Sequence, residues 1–208
     1  MMKRLSLTLL IACCALALTA QEVIRVNYKG AKPTIRDFVT AFVATTENAD
    51  EEECCNEVLN AVAYAWDRHK KGLPMEEGVT LTIDEKNGYV LYEYRSEHES
   101  IEHLLRVEMC YWNEADGKHK LFAYNVASFI NGRCEAGQYD GLDFYRYDNA
   151  KIKMTFCEDR RGTEAVYKYD VLHSYALPRK GKDIKVTLWY DSGKKVKTLK
   201  WNGKRFTL

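Results

Sequence analysis

The segment VTLTIDEKNGYVLYEY, residues 79–94, decides the fold class. Apolar and polar residues alternate over 79–83, which is the period of a β-strand with one buried face. Asn87-Gly88 then favours a tight turn, because these two residues tolerate the positive φ angles that such turns require. A second apolar segment follows the turn at once, so the stretch predicts an antiparallel β-hairpin.

The same alternation recurs along the rest of the chain between short polar turns. The segments are LRVEMCYWN (105–113), KLFAYNVASFI (120–130), LDFYRY (142–147), KIKMTF (151–156), DIKVTLWY (183–190), VKTLKW (196–201) and RFTL (205–208). Short connections make sequential strands antiparallel neighbours. We predict a meandering sheet of roughly eight to ten strands. The pattern leaves open whether the sheet stays open, curls toward a barrel or folds as a sandwich.

Two amphipathic helices are predicted before the strands. The first follows a capping pair, Thr34 and Asp37, and has apolar residues at helical spacing over 35–43. The apolar stripe of the second consists of Cys55, Val58, Leu59, Val62 and Trp66. Gly72 suits the left-handed residue that ends this helix, and Pro74 prevents its continuation. The predicted fold is α+β, an N-terminal two-helix hairpin packed on the antiparallel sheet.

The first twenty residues have the layout of a secretory signal peptide. Two basic residues precede an uncharged, mostly apolar stretch over 5–20, and polar residues follow immediately. These sixteen residues are too few for a membrane span, which needs about 20. We expect cleavage after Ala20, which leaves 21–208 as a single exported α+β domain, periplasmic or extracellular. The alternative is acylation of Cys13, since LIAC resembles a lipobox, which would make the protein an outer-membrane lipoprotein.

Basic residues are concentrated at the C-terminal end. The chain as a whole is nearly neutral, with 31 Lys and Arg against 30 Asp and Glu. Residues 179–208 nevertheless contain ten Lys or Arg and two Asp. This split predicts a basic surface on the last strands. Nucleic acid is a poor partner for an exported protein of near-zero net charge.

Cleavage after Ala20 leaves an odd number of cysteines. They are Cys54, Cys55, Cys110, Cys134 and Cys157. A monomer therefore keeps at least one free thiol even in an oxidising compartment, although the pairing of the others stays open. Cys54 and Cys55 are not expected to bond to each other, because neighbours on a helix point about 100° apart. Cys55 lies on the apolar stripe and is predicted to be a buried thiol.

The segment SEHESIEHLL, residues 96–105, comes close to the H-E-x-x-H motif of zinc peptidases. Its histidines, His98 and His103, are five residues apart instead of four, so a helix does not present both on one face. An odd separation along a strand would also separate them. Ser96 and Glu99 make a capping pair, which predicts a short helical turn leading into a strand. We therefore expect no zinc site.

A search for other chemistry identifies no catalytic residues. The chain has no G-x-S-x-G elbow, Walker loop or dinucleotide fingerprint. His173 and Ser174 are adjacent on a predicted strand, where neighbouring side chains point apart. Potential calcium ligands occur at Asp140, Asp143, Asp148 and Asn149, but they lack the spacing of an EF-hand and suit turn positions. We predict no metal and no cofactor.

The last predicted strands combine aromatic residues with lysines. Strand alternation places Lys185 and Trp189 on the face opposite the apolar one. Lys195, Lys197 and Trp201 are predicted to extend this face. Such a surface suits an envelope glycan or a protein partner. Its lysines also have a structural interpretation, because charges on sheet edges discourage aggregation.

Several segments resemble uncharacterised exported proteins of Gram-negative bacteria. They are MCYWN (109–113), DGKHKLFA (116–123), GLDFYRYDN (141–149) and WNGKRF (201–206), together with the signal peptide and the helical pair. The resemblance implies a location and a fold class, and it carries no known catalytic residue. We therefore expect a non-catalytic exported module that binds an envelope component, a carbohydrate or a protein. The alternative is a hydrolase whose residues come from distant strands. The oligomeric state stays open.

Overall fold

The computed structural model describes residues 23–48, 57–137 and 140–208. Its helices are α1 (Ile35–Val43) and α2 (Glu57–Lys70), with 3-10 segments at Ala44–Asn48 and Arg160–Tyr169. Its strands are β1 (Val23–Arg25), β2 (Val79–Asp84), β3 (Tyr89–His98), β4 (Ile101–Asn113), β5 (His119–Ile130), β6 (Arg133–Glu135), β7 (Gly141–Asp148), β8 (Lys153–Phe156), β9 (Leu172–Ala176), β10 (Ile184–Tyr190), β11 (Gly193–Trp201) and β12 (Phe206–Thr207).

The strands form two antiparallel sheets in the described part of the chain. The large sheet has the order β1-β8-β7-β5-β4-β3-β2, and the short strand β6 also pairs with β5. The small sheet has the order β12-β11-β10-β9. Most neighbours in the sheets are also neighbours in sequence, as short turns require.

The large sheet is the middle layer of three. Met109 of β4 belongs to a core that the sheet forms with α1 and α2, where Phe38 is fully buried. Its sequence neighbour Cys110 points to the opposite side and belongs to a second core, which includes Leu188 of the small sheet. Successive side chains of a strand point to opposite faces, so the central strands contribute to both cores.

The α+β architecture is confirmed, with a correction at its start. An N-terminal two-helix hairpin is not confirmed, because β1 (Val23–Arg25) precedes α1 and pairs with β8. The question of sheet shape is answered by the second core: the two sheets pack face to face, and the helices cover the other side of the large one.

Helix α1 follows its sequence pattern closely. The backbone N–H of Thr34 donates to Asp37 Oδ2 at 2.7 Å, as a capping box requires. The apolar positions Ile35, Phe38, Val39, Phe42 and Val43 are all buried. The stripe therefore predicts the face that packs on the large sheet.

Helix α2 ends as predicted. Gly72 has a φ of +66°, and the N–H of Leu73 donates to the carbonyl of Arg68 at 2.9 Å. Leu59, Val62 and Trp66 of the predicted stripe are buried and Val58 is half-buried, whereas Cys55 lies outside the described residues. Within the described residues, no helix combines the length and the apolar character that a membrane crossing requires.

The hairpin over 79–94 is confirmed, but its turn is longer than predicted. Asp84 pairs with Tyr89, so four residues connect β2 to β3 instead of two. The Asp84 carboxylate accepts hydrogen bonds from the backbone N–H and the side-chain amide of Asn87, at 3.2 and 2.9 Å. These bonds stabilise a turn over 84–87 that leaves only Gly88 with a positive φ, of +65°.

The helical turn predicted in SEHESIEHLL is wrong. Strand β3 continues to His98 and β4 begins at Ile101, and the two residues between them, Glu99 and Ser100, have φ angles of +50° and +66°. This is the backbone of a primed hairpin turn formed without Asn or Gly. Continuous β3–β4 pairing from Tyr89 to His98 outweighs the local capping signal.

A buried polar cluster joins the two sheets. Glu108 of β4 is 4% exposed. Its carboxyl accepts hydrogen bonds from the Tyr89 hydroxyl at 2.6 Å, the Asn125 amide at 3.2 Å and the backbone N–H of Leu177 at 3.1 Å. The Asn125 amide also donates to the carbonyl of Tyr175 at 3.1 Å. The cluster therefore fastens the end of β9 to the middle of the large sheet.

Burial raises the pKa of the Glu108 carboxyl, although its hydrogen bonds act in the opposite direction. A raised pKa in the folded state means that the protonated form favours folding. The stabilisation from Glu108 is therefore complete below the ordinary pKa of 4.5 and is lost as the pH rises through the higher value of the folded protein.

We predict a larger loss of stability for Glu108→Ala than for Glu108→Gln. Glu108→Ala leaves the Tyr89 hydroxyl and the Leu177 N–H buried without a partner, which costs about 1–3 kcal/mol of unfolding free energy. Glu108→Gln keeps the size and an acceptor, and it removes the titration. Urea unfolding at about pH 4 and about pH 8 should show that the Gln variant gains stability relative to wild type as the pH rises. Equal losses for Ala and Gln at both pH values would contradict this role.

Candidate functional site

The small sheet has one face toward the core between the sheets and one face directed away from it. Ile184, Val186 and Leu188 of β10 lie in the core between the sheets, so the residues between them point outward. Cross-strand partners lie on the same face. The outward side of β10 and β11, called the outer face below, consists of Lys185, Thr187, Trp189, Lys194, Val196, Thr198 and Lys200.

The outer face is cationic. Lys185, Lys194 and Lys200 are exposed, and the positions of this face include no acidic residue. No ion pair joins any of these three ammonium groups to a described residue. Val196 lies among them and is 56% exposed. The face therefore combines uncompensated positive charge with an apolar patch.

Trp189 is held in place at one end of the outer face. Its indole N–H donates to the Ser174 hydroxyl at 3.0 Å. Its ring makes a T-shaped contact with Phe129 at 6.3 Å between centroids. The Lys194 ammonium lies 5.3 Å from the centre of the same ring, within the range of a cation–π interaction. The Lys194 ammonium therefore covers one face of the indole, which is not a free surface for stacking.

The five residues predicted to share a binding face are divided by the structure. Lys185 and Trp189 lie on the outer face, as expected. Lys195 and Lys197 pair with inward-facing residues of β10, and Trp201 packs at the edge of the core between the sheets. The prediction of one continuous face is therefore wrong in its geometry, whereas binding by the outer face stays a prediction.

The β10–β11 turn explains the error. Tyr190 pairs with Gly193, so the loop consists of two residues, Asp191 and Ser192. In this register, residues of opposite parity share a face. Lys194 and Lys200 therefore join the outer face, in place of the predicted Lys195 and Lys197. A two-residue turn assumed within DSGKK, residues 191–195, would have placed Lys194 and Lys200 on this face.

A cleft of about 330 Å³ lies beside β9 and contains several reactive residue types. Its lining includes Cys134, Asp140, Arg160, Tyr167 and His173. The Asp140 carboxylate accepts hydrogen bonds from the backbone N–H and the hydroxyl of Ser128, both at 2.8 Å. Burial raises the pKa of Cys134 to about 11, so its thiol stays protonated at neutral pH. These contacts give two of the reactive groups structural roles.

His173 and Ser174 do not form a nucleophile–base pair. The two side chains point to opposite faces of β9, because they are neighbours on a strand. Ser174 accepts the hydrogen bond of Trp189. The His173 ring lies 3.1 Å from the carbonyl of Val171 and packs edge-on against Tyr175.

One group of three potential metal ligands converges among the described residues, Glu114, Asp116 and His119. The Arg146 guanidinium donates to both Glu114 oxygens, at 2.9 and 2.6 Å, and to Asp116 at 3.2 Å. A hydrogen bond from His119 lowers the pKa of Asp116 to about 2. The arginine supplies the positive charge that these carboxylates need. We interpret the group as an ion-pair network that fastens the β4–β5 turn to β7.

The four residues considered as calcium ligands do not converge. Asp140 precedes β7 and Asp148 is its last residue, so the eight residues of the strand separate them. Asp148 accepts hydrogen bonds from two backbone N–H groups in the following turn, and the Asn149 amide donates to Gly117. Asp143 lies between the two ends of the strand, so no arrangement of this strand brings the four together.

His98 and His103 lie on the same face of the β3–β4 ribbon. His98 pairs with Ile101 and Ser96 pairs with His103, so the two rings are diagonal neighbours. The expectation of opposite faces is wrong, because the chain reverses between them. No third ligand converges on this pair among the described residues. The absence of a zinc site stays a prediction and now rests on the missing ligands.

Comparisons with known proteins add nothing to the argument for this site. No protein-family model matches the chain. No curated protein and no solved structure is detectably similar to it. The functional argument therefore rests on the residues of this chain.

We predict that three thiols are unreactive in the native protein. Cys110, Cys134 and Cys157 are free and buried, and burial raises the pKa of each. Iodoacetamide at neutral pH should modify them slowly in the folded protein and completely in urea. Mass spectrometry of peptides reports each site separately, so Cys54 and Cys55, outside the described residues, do not confuse the result. A disulfide between any two of the three would contradict the prediction.

Proposed function

We propose that the protein is a non-catalytic, exported module that binds an acidic component of the cell envelope through the outer face. The observation that carries the proposal is the set of three exposed lysines without ionic partners, Lys185, Lys194 and Lys200. They project from neighbouring strands of one sheet, so a polyanion can contact several of them at once. Exposed lysines without acidic partners favour an acidic ligand by charge complementarity.

The contacts of Trp189 support an acidic ligand over a neutral sugar. A neutral sugar ring usually stacks on a free aromatic face, but Lys194 lies over this indole. The threonines Thr187 and Thr198 provide hydroxyls beside the lysines, and these can donate hydrogen bonds to carboxylate or phosphate oxygens. The favoured ligand is therefore an acidic glycan of the envelope.

Export is part of the proposal. The predicted signal peptide over 1–20 supports delivery to the periplasm or the cell exterior, where acidic glycans occur. Acylation at Cys13 would place the same domain on the outer membrane and would leave the outer face unchanged. Both routes lead to the same class of ligand.

The contacts in the β9 cleft favour binding over hydrolysis. A hydrolase needs an activated nucleophile or a pair of free carboxylates. In the cleft, Asp140 is engaged by Ser128, and the Cys134 thiol has a pKa near 11. Ser174, the hydroxyl nearest in sequence to His173, accepts a hydrogen bond from Trp189.

Two charge-reversal variants of the small sheet test the proposal. Lys185→Glu/Lys194→Glu changes the outer face, and Lys195→Glu/Lys197→Glu makes the same charge change on the side facing the core. We expect the first variant to bind polygalacturonate about tenfold more weakly, since two exposed ionic contacts become repulsive. The second should bind close to wild type. Biolayer interferometry with the immobilised polymer measures both.

Salt and a neutral polymer supply the controls. Wild-type binding should weaken as salt is raised from low to moderate concentration, because exposed charges are screened over roughly 8 Å at physiological ionic strength. Dextran, which carries no charge, should not bind. Equal binding of both variants with unchanged melting temperatures would exclude the outer face, and equal binding to dextran would exclude charge recognition.

A further inference from the structure

Strand β2 (Val79–Asp84) is an edge of the large sheet with an unpaired backbone. The N–H of Arg95 donates to the carbonyl of Gly78 at 2.9 Å, which identifies Gly78–Arg95 as a hydrogen-bonded pair of the β2–β3 ladder. The odd-numbered residues of β2 therefore direct their N–H and C=O groups away from β3. Leu81 and Ile83 have no backbone partner on that side among the described residues.

This edge lacks the usual protection against pairing. Residues 79–83 include no charge and no proline. The strand at the other edge of the large sheet, β1, has only three residues and carries Arg25. At the C-terminal end of β2, Arg179 neutralises the carboxylate of Asp84, and its Nε lies 2.8 Å from Asp84 Oδ2. A second uncharged strand can therefore approach β2 without electrostatic repulsion.

We propose that β2 pairs with β2 of a second copy of this chain, antiparallel and centred on Leu81. A two-fold axis perpendicular to the sheet keeps each side chain on its own face. The numbers of two paired residues must therefore add up to an even number. Pairing Leu81 with Leu81 of the second copy satisfies this condition. Centring on Leu81 also aligns the free backbone groups. The N–H of Leu81 donates to the carbonyl of Leu81 of the second copy, and the N–H of Ile83 donates to the carbonyl of Val79 of the second copy. By symmetry the second copy makes the same two bonds to the first.

The side chains of β2 complement themselves in this register. Val79, Leu81 and Ile83 lie on the side of the helices, where they pack against the first core. Pairing extends this apolar surface from one copy to the other. On the opposite side, Thr80 faces Thr82 of the second copy, a pair that is favourable between strands. The N–H of Val79 already donates to Glu76 at 3.1 Å, and the pairing does not require it.

Two variants that differ at a single position test this register. Thr80→Lys/Thr82→Lys places lysine opposite lysine across the interface. Thr80→Lys/Thr82→Glu places lysine opposite glutamate. Wild type should form a dimer in sedimentation velocity over a concentration series. The first variant should dimerise about tenfold more weakly, and the second at least as tightly as wild type, because opposed charges across strands attract.

Each outcome bears on the proposal. Circular dichroism and the melting temperature establish that both variants are folded, and both carry the same lysine at position 80. A wild type that stays monomeric throughout the series overturns the pairing. A dimer that is equally tight in both variants also overturns it, because such a dimer uses another surface. Binding to polygalacturonate is a separate measurement on another surface. A failure of the dimer prediction therefore does not affect the proposal for the outer face.

Discussion

Strands β4 and β5 are apolar on both faces, and this constraint organises the protein. Met109 and Phe122 are fully buried on the side of the helices, while Leu121 and Ala123 are fully buried on the other side. Each large apolar side chain contributes about 1.5–3 kcal/mol when it leaves water. A single covering layer would expose half of them. The helices and the small sheet are therefore both required, one for each face of the same two strands.

Polar groups determine how the small sheet is placed on the large one. Apolar packing alone is not directional, but the Glu108 cluster requires its donors in particular positions. The indole N–H of Trp112 adds a second link by donating to the carbonyl of Lys182 at 2.8 Å. These contacts attach the segment from the end of β9 to the start of β10 to the large sheet. The remaining face of β10 is directed away from this core, which leaves Lys185 exposed, whereas Trp189 stays half-buried.

Both proposed interactions use parts of the two sheets that lie outside the two cores. The outer face is the side of the small sheet directed away from the core, and β2 is an edge strand of the large sheet beside which no described residue forms a further strand. The first offers charge and the second offers backbone hydrogen bonds, so they suit different partners. They also lie on different sheets. A dimer formed through β2 would therefore carry two outer faces, which would strengthen binding to a polymer by linking two sites.

Local patterns were sufficient for α1, for the end of α2 and for the existence of the hairpins, because a capping residue or a period of two acts within a few neighbours. They failed wherever pairing over longer distances decided the outcome. The capping pair in SEHESIEHLL is locally sound, yet ten residue pairs between β3 and β4 override it. The sequence alone determined which strands carry lysine and tryptophan. Only the tertiary structure decided which of them share a face, because one residue of register at the β10–β11 turn moves every side chain of β11 to the opposite side.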